Sequence, residues 1–184
     1  MLGPELGGKR IQFLKDIHSE LRTVAFLGSS SDQNTATFVK EVQHAADEAG
    51  LTLKSHLVTA PSEIDGSTFE SIRKDGAQAL IVQPIFTGHA AKVVQLADRA
   101  GLPVTSDFPV FARAGALLTY GVDRPSLIRR AAYYVDRIFK GENPAELPIE
   151  QPTRFWLAIN LTTAERFGWT VPPLLLAQAD ELIE

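Results

Sequence analysis

A chain of 184 residues, 45% apolar and 22% charged, is long enough to bury a core and ordinary in composition for a globular fold. The formal net charge of −4, with no basic cluster beyond the pair Arg129-Arg130, excludes the electrostatic footprint of a nucleic-acid binder. Cysteine is absent, which excludes disulfides and thiolate metal sites. The opening MLGPELGGKR lacks the apolar core of a signal peptide, and no apolar run approaches the roughly 20 residues that span a bilayer. As written, the chain is expected to be soluble and unexported.

Residues Glu5 to Glu20 read as a first helix, with Leu6, Ile11, Leu14, Ile17 and Leu21 at mostly helical spacing. A strand at Val24–Leu27, a glycine-serine turn at Gly28–Asp32 and a helix opening near Asn34 follow. That helix repeats Phe38, Val42, Ala45 and Ala49 along one face and stops at Gly50. The spacing then predicts a strand at Leu53–Val58, a helix at Asp65–Lys74, a buried strand at Ala79–Val82 and a helix from Gly88 to Ala100. Gly101 ends it, and a fourth strand at Val104–Ser106 precedes a helical turn at Val110–Ala114 and a fifth strand at Ala116–Thr119.

The expected fold class is therefore α/β: a flavodoxin-like, doubly wound parallel sheet of five strands in the order 2-1-3-4-5. That order places the ends of strands one and three beside the topological switch point, where ligands bind in such sheets. Beyond Gly121 the pattern changes to a C-terminal helix-strand-helix extension. An amphipathic helix covers Arg124–Lys140, a proline-spaced linker runs from Pro144 to Pro152, and a strand occupies Phe155–Asn160. Short helices are predicted at Thr162–Phe167 and from Pro173 to the C-terminus.

The stretch Val24–Val42 carries the strongest binding signal. A strand, a small polar loop and a helix N-terminus present free backbone N–H groups beside several hydroxyls, a receptor for the carboxylate or other polar end of a small ligand. The same Ser, Asp and Asn residues also serve as helix caps. No GxSxG elbow surrounds Ser29, Ser30 and Ser31, no dinucleotide fingerprint or phosphate loop is present, and His18, His44, His56 and His89 show no metal-ligand pairing. Neither a cofactor nor a metal is expected, and no catalytic residue is assigned. Asp107, at the fourth strand's carboxyl end, either pairs with a ligand amine or starts the following helical turn. Phe86, Phe108 and Tyr120 fall at strand exits and are able to stack on an apolar ligand or to fill the core.

The words YGVDRPSLIRRAAYYVDRIFKGENPAELPIEQPTRF (Tyr120–Phe155) and INLTTAERFGWTVPPLLLAQADELIE (Ile159–Glu184) resemble the C-terminal part of the ABC-transporter substrate-binding proteins, TrpX-like receptors of the type I periplasmic binding class. The upstream run GKRIQFLKDI and the strand VAFLG fit as well. The resemblance implies a two-lobed, non-catalytic receptor that holds a small solute, aromatic amino acids among them, between α/β lobes and presents it to ABC permease subunits. It implies a periplasmic location, whereas the chain taken as a complete product would be cytoplasmic. On this basis residues 1–22 are a first-lobe or hinge remnant, 23–121 the ligand-binding lobe, and 122–184 a helix, strand and tail of the first-lobe side. Strand-end geometry assigns ligand contacts to Ser29, Ser30, Asp32 and Asn34 in the first loop, to Gln83, Phe86 and Thr87 at the third exit, and to Asp107 and Phe108 at the fourth. Apolar faces at Tyr133–Phe139 and Phe155–Ile159 are expected to be exposed and covered in a homodimer. The competing readings are a small flavodoxin-like enzyme or nucleotide-binding protein, and the sensor lobe of a regulator.

Overall fold

The computed structural model describes residues 3–184. Helix α1 spans Gly3–Ile17, and its apolar positions Leu6, Ile11, Leu14 and Ile17 are all buried, as is Leu21 beyond its end. Strand β1, Thr23–Ser29, shows the period of two that strands impose. Val24 and Phe26 enter one apolar cluster, and Ala25 and Leu27 enter the other. The alternation continues as α2 (Thr35–Glu48), β2 (Thr52–Val58), α3 (Gly66–Lys74), β3 (Ala79–Val82), α4 (Ala90–Arg99), β4 (Val104–Ser106), α5 (Pro109–Arg113) and β5 (Leu118–Val122). Gly50 and Gly101 follow α2 and α4 with φ of 67° and 72°, a conformation that lets the chain turn sharply back into the next strand.

Parallel pairing gives the order β2-β1-β3-β4-β5, as the sequence predicts. The first apolar cluster lies between the sheet and α1 and α2, and the second between the sheet and α3, α4 and α5. Phe26, Phe69, Phe86 and Phe111 are fully buried across these two layers, each contributing on the order of 2 kcal/mol of transfer free energy.

The tail differs from the sequence reading. Helix α6 (Arg124–Phe139) is followed by β6 (Phe155–Asn160), α7 (Leu161–Arg166), α8 (Pro173–Gln178) and β7 (Glu181–Ile183). Strand β6 runs antiparallel beside β5, and β7 runs parallel to β6, so the sheet has seven strands rather than five. The helix predicted from Pro173 onward stops at Gln178 because Asp180 turns into the sheet. Its N–H donates to the Leu157 carbonyl, and its carboxylate accepts the Leu157 N–H at 2.8 Å. Leu157, Ala158 and Ile159 are buried by this pairing, so the exposed apolar face expected at Phe155–Ile159 is absent.

Residue 22 lies in the link between α1 and β1, and residue 121 lies inside β5. Helix α1 packs on α2 and β5, and β6 extends the sheet directly from β5. Among the α-helices of the described residues α6 stands apart: none of its residues is buried, and Ile128 and Phe139 are 67% and 86% exposed. The exposed run expected at Tyr133–Phe139 is thus found.

Candidate functional site

The carboxyl ends of the parallel strands form a rim with two unlike parts. At the switch point, β1 ends in Gly28 and Ser29 against Gln83, the residue after β3. A Cβ on Gly28 would lie 2.6 Å from the Phe26 ring and 2.9 Å from Gln83 Oε1, so only glycine lets the amide approach. Gln83 is buried. Its Oε1 accepts the Ser29 N–H at 2.9 Å, and its Nε2 donates to Asp32 Oδ2 at 2.7 Å and Thr35 Oγ1 at 2.9 Å. The Thr35 hydroxyl donates in turn to the Ser29 carbonyl. Ser29 Oγ donates to the Thr59 carbonyl at 2.8 Å and lies 2.9 Å from Ser31 Oγ.

Asp32 completes this closure. Its Oδ1 accepts the Asn34 N–H at 2.9 Å and Asn34 Nδ2 at 3.1 Å, while the Thr35 N–H donates to the Asp32 carbonyl. Of the N–H groups at the start of α2, that of Thr35 is therefore held by the loop's own carbonyl, and the Asn34 N–H just before the helix is held by the Asp32 carboxylate. A buried amide with all its partners satisfied holds the loop and has nothing left to offer a ligand.

The second part of the rim lies at the ends of β4 and β5. Gly121 lets the strands close here, since a Cβ would fall 2.1 Å from the Asp107 carbonyl oxygen. Arg10, buried on α1, donates to Asp107 Oδ1 and to the Tyr120 carbonyl at 3.1 Å. Burial pushes the Asp107 carboxyl above its ordinary value and the Arg10 guanidinium below its own, while each partner's charge pulls the other back. Asp107 is therefore committed to an internal ion pair, rather than to a ligand amine or the start of α5. The next residue, Phe108, is half-buried and carries Arg124 over its ring, with the guanidinium carbon 5.0 Å from the centroid.

Beyond this rim α6 forms a hairpin with the segment that returns to β6. Asp123 caps the helix by accepting the Ser126 N–H at 3.2 Å, and its own N–H donates to the Arg154 carbonyl at 3.0 Å. Arg130 donates Nε to Glu150 Oε2 at 2.6 Å and makes a second bond to Glu150 Oε1. The Tyr134 hydroxyl donates to the Pro148 carbonyl at 2.8 Å. Between hairpin and rim runs an open groove of about 770 Å³, lined by Pro84, Thr87, Asp107 and Phe108 on the rim side and by Leu127, Glu150 and Pro152 on the hairpin side.

The expected contact residues thus divide. Thr87, Asp107 and Phe108 line the groove. Ser29, Asp32 and Gln83 are joined in the closed network, with Ser30 and Asn34 exposed at its edge. Phe86 is fully buried in the second core cluster, and Tyr120 packs edge-on against Phe13 at 5.3 Å, so neither ring faces the groove. Arg10, Arg124, Leu127 and Glu150 were not read as site residues. Arg124 is legible only once β5 is known to run to Val122. Gly121 and Val122 pair solely with Trp156 and Phe155 of β6, so the true exit lies beyond the predicted one. Among the described residues no cluster of three or more histidine, aspartate or glutamate side chains is placed to hold a metal ion, and no helix is long and apolar enough to cross a membrane.

Comparison with known proteins fits this architecture. The sequence model of the family described as ABC transporter substrate binding protein matches residues 5–183. No curated protein sequence matches. Among solved structures, a conserved domain protein from Vibrio cholerae O1 biovar El Tor superposes with a TM-score of 0.85 at 20% identity, covering 96% of this chain and 60% of that one. An ABC domain in complex with L-Trp from Streptococcus pneumonia gives a TM-score of 0.84 at 25% identity, covering 97% of this chain and 60% of that one. The ligand-free, open structure of CD0873, a substrate-binding protein with adhesive properties from Clostridium difficile, gives 0.71 at 16% identity, with 95% and 58% covered. The chain spans about 60% of the length of these structures.

Proposed function

Because this chain belongs to the ABC transporter substrate-binding protein family, we propose that it is a non-catalytic solute-binding lobe of an uptake system, with the groove between rim and α6 hairpin as its share of the ligand cleft. The observation that carries this reading is the groove's composition. Rim residues Thr87 and Phe108 face Leu127 and Pro152 of a segment that leaves the sheet at Val122 and returns at Phe155. A segment tethered by two adjacent antiparallel strands, and otherwise unpacked, suits the moving side of a hinged cleft. A solute held on both sides would shift the population toward the closed form, which permease subunits would then recognise. The solute is a small molecule with an apolar body, an amino acid or related acid, and the working location is extracytoplasmic.

We assign α1, β1–β5, β6 and β7 to one lobe, and α6 with the return segment to the seat of an opposing lobe. The exposed face of α6 carries Ile128, Val135 and Phe139, more apolar surface than a solvated helix needs. An opposing lobe covers it where one is present, and a second copy of this chain does so where none is. A thermal-shift screen of amino acids and related small acids tests the receptor reading. One chemical class should raise the melting temperature with no turnover. Indifference to all of them overturns it. Light scattering tests the second copy, and a monomer at every concentration would remove the homodimer.

A further inference from the structure

The groove's charges do not balance, and the imbalance points to a ligand class. Three charged side chains line it: Asp107, Glu150 and Arg124. Asp107 is neutralised from behind by Arg10, and Glu150 is gripped by Arg130. Arg124 has no ion pair or hydrogen bond among the described residues, and its only close partner is the Phe108 ring. A guanidinium held over an aromatic face keeps its N–H fork directed outward, and that fork matches a carboxylate with two parallel bonds.

Apolar side chains flank the stack on both sides, Leu127 and Pro152 on one and Val110 and Trp156 on the other. The groove continues past it into a second hollow of about 390 Å³, which shares Thr87, Phe108, Val122 and Arg124 and adds Val110 and Trp156 together with Asp123, paired with Arg154, and Arg113, paired with Glu181. An anion on Arg124 would therefore carry an apolar body along one wall or the other. Every carboxylate that lines the two hollows already has a cationic partner: Asp107 has Arg10, Glu150 has Arg130 and Asp123 has Arg154. A zwitterion would bring an ammonium group that has no free carboxylate to pair with on either wall.

We propose that Arg124, positioned by Phe108, is the specificity-determining anchor of this wall, and that it selects monoanionic carboxylates with an apolar or aromatic body over the corresponding amino acids and amines. The proposal rests on the reading of the groove as a solute site. It differs from that reading in naming the charge class and the residue that sets it.

The test is an NMR titration of the isotope-labelled chain with three compounds sharing one phenyl body: 3-phenylpropanoate, L-phenylalanine and 2-phenylethylamine. The propanoate is expected to bind about tenfold more tightly than either of the others, the discrimination of one charge-assisted contact. It should move the side-chain signals of Arg124 and Trp156. Arg124→Gln should abolish the preference for the acid, and Arg124→Lys should retain part of it, because a point charge replaces the fork. Arg124 is exposed, so both variants should keep the wild-type melting temperature. If L-phenylalanine binds as tightly as the propanoate, or if Arg124→Gln leaves the preference intact, the anchor falls while the solute-site reading stands. If none of the three perturbs the groove at millimolar concentration, both fall.

Discussion

The two parts of the rim use similar polar residues to opposite ends. At the switch point, Ser29, Asp32, Thr35 and Gln83 hydrogen-bond one another through a buried side-chain amide, beside the crevice where α/β sheets most often take ligands. At the ends of β4 and β5, the Arg10–Asp107 pair is sunk behind the surface, and what faces the groove is an aromatic ring under an uncompensated cation. Polar density is therefore a poor guide to a binding surface. A loop rich in hydrogen-bonding groups tends to saturate itself, and the surface left unsatisfied holds the capacity to bind.

This contrast is broken most severely at Arg10 and Asp107. Asp107→Ala leaves a buried guanidinium alone and should cost about 3–5 kcal/mol, read as a lowered urea midpoint. The double variant Arg10→Met/Asp107→Leu should recover most of that loss, since well-packed apolar residues often replace a buried pair without penalty. A single variant that loses under about 1 kcal/mol would show the pair to be hydrated rather than sunk. Gly121→Ala comes next. With a Cβ directed at the Asp107 carbonyl, it should reach the upper part of the ~1–3 kcal/mol that overpacking costs, and it should shift the amide signals of both strands.

Gln83→Leu sharpens the comparison from the other side. It strands the Ser29 N–H and the Asp32 carboxylate, and should cost about 1–3 kcal/mol while leaving the groove's ligand preference unchanged. A large change in ligand affinity would instead mean that the closed network takes part in binding. Arg124→Gln should have the smallest effect on stability, within about 0.5 kcal/mol by the same denaturation assay, as expected of an exposed side chain away from the core.

The alternating half of the fold was legible because each element carries a complete local signal. The run Ala79–Val82 between polar turns, the helical spacing of Phe38, Val42, Ala45 and Ala49, and Gly50 and Gly101 at helix ends need nothing from the rest of the chain. The end of β5 was misjudged because Gly121 and Val122 are strand residues only by virtue of β6, which returns more than 30 residues later. Strand β7 was missed for a related reason: Glu181–Ile183 is three residues long and is held by Asp180 and by the contact of Glu181 with Arg113. Within the site, Phe108 and Asp107 were placed by strand-end logic, but whether each faces the groove or the interior depends on partners the spacing does not show. Phe86 sits at a strand exit just as Phe108 does, yet the 3-10 turn at Pro84–His89 rotates it into the core.

The distance in sequence between Arg10 and its acceptors also bears on how the molecule is made. Asp107 lies 97 residues and Tyr120 lies 110 residues downstream of the arginine that they hold. During synthesis α1 leaves the ribosome long before its seat exists, and its inner face carries a charge that no earlier strand is able to neutralise. Packing α1 against β1 and α2 at that stage would bury a bare guanidinium, so α1 is expected to stay sensitive to protease in nascent chains that end before β4. By that expectation, the residue that ties the finished lobe together would also time its assembly, deferring α1 until the fifth strand of the sheet is in place.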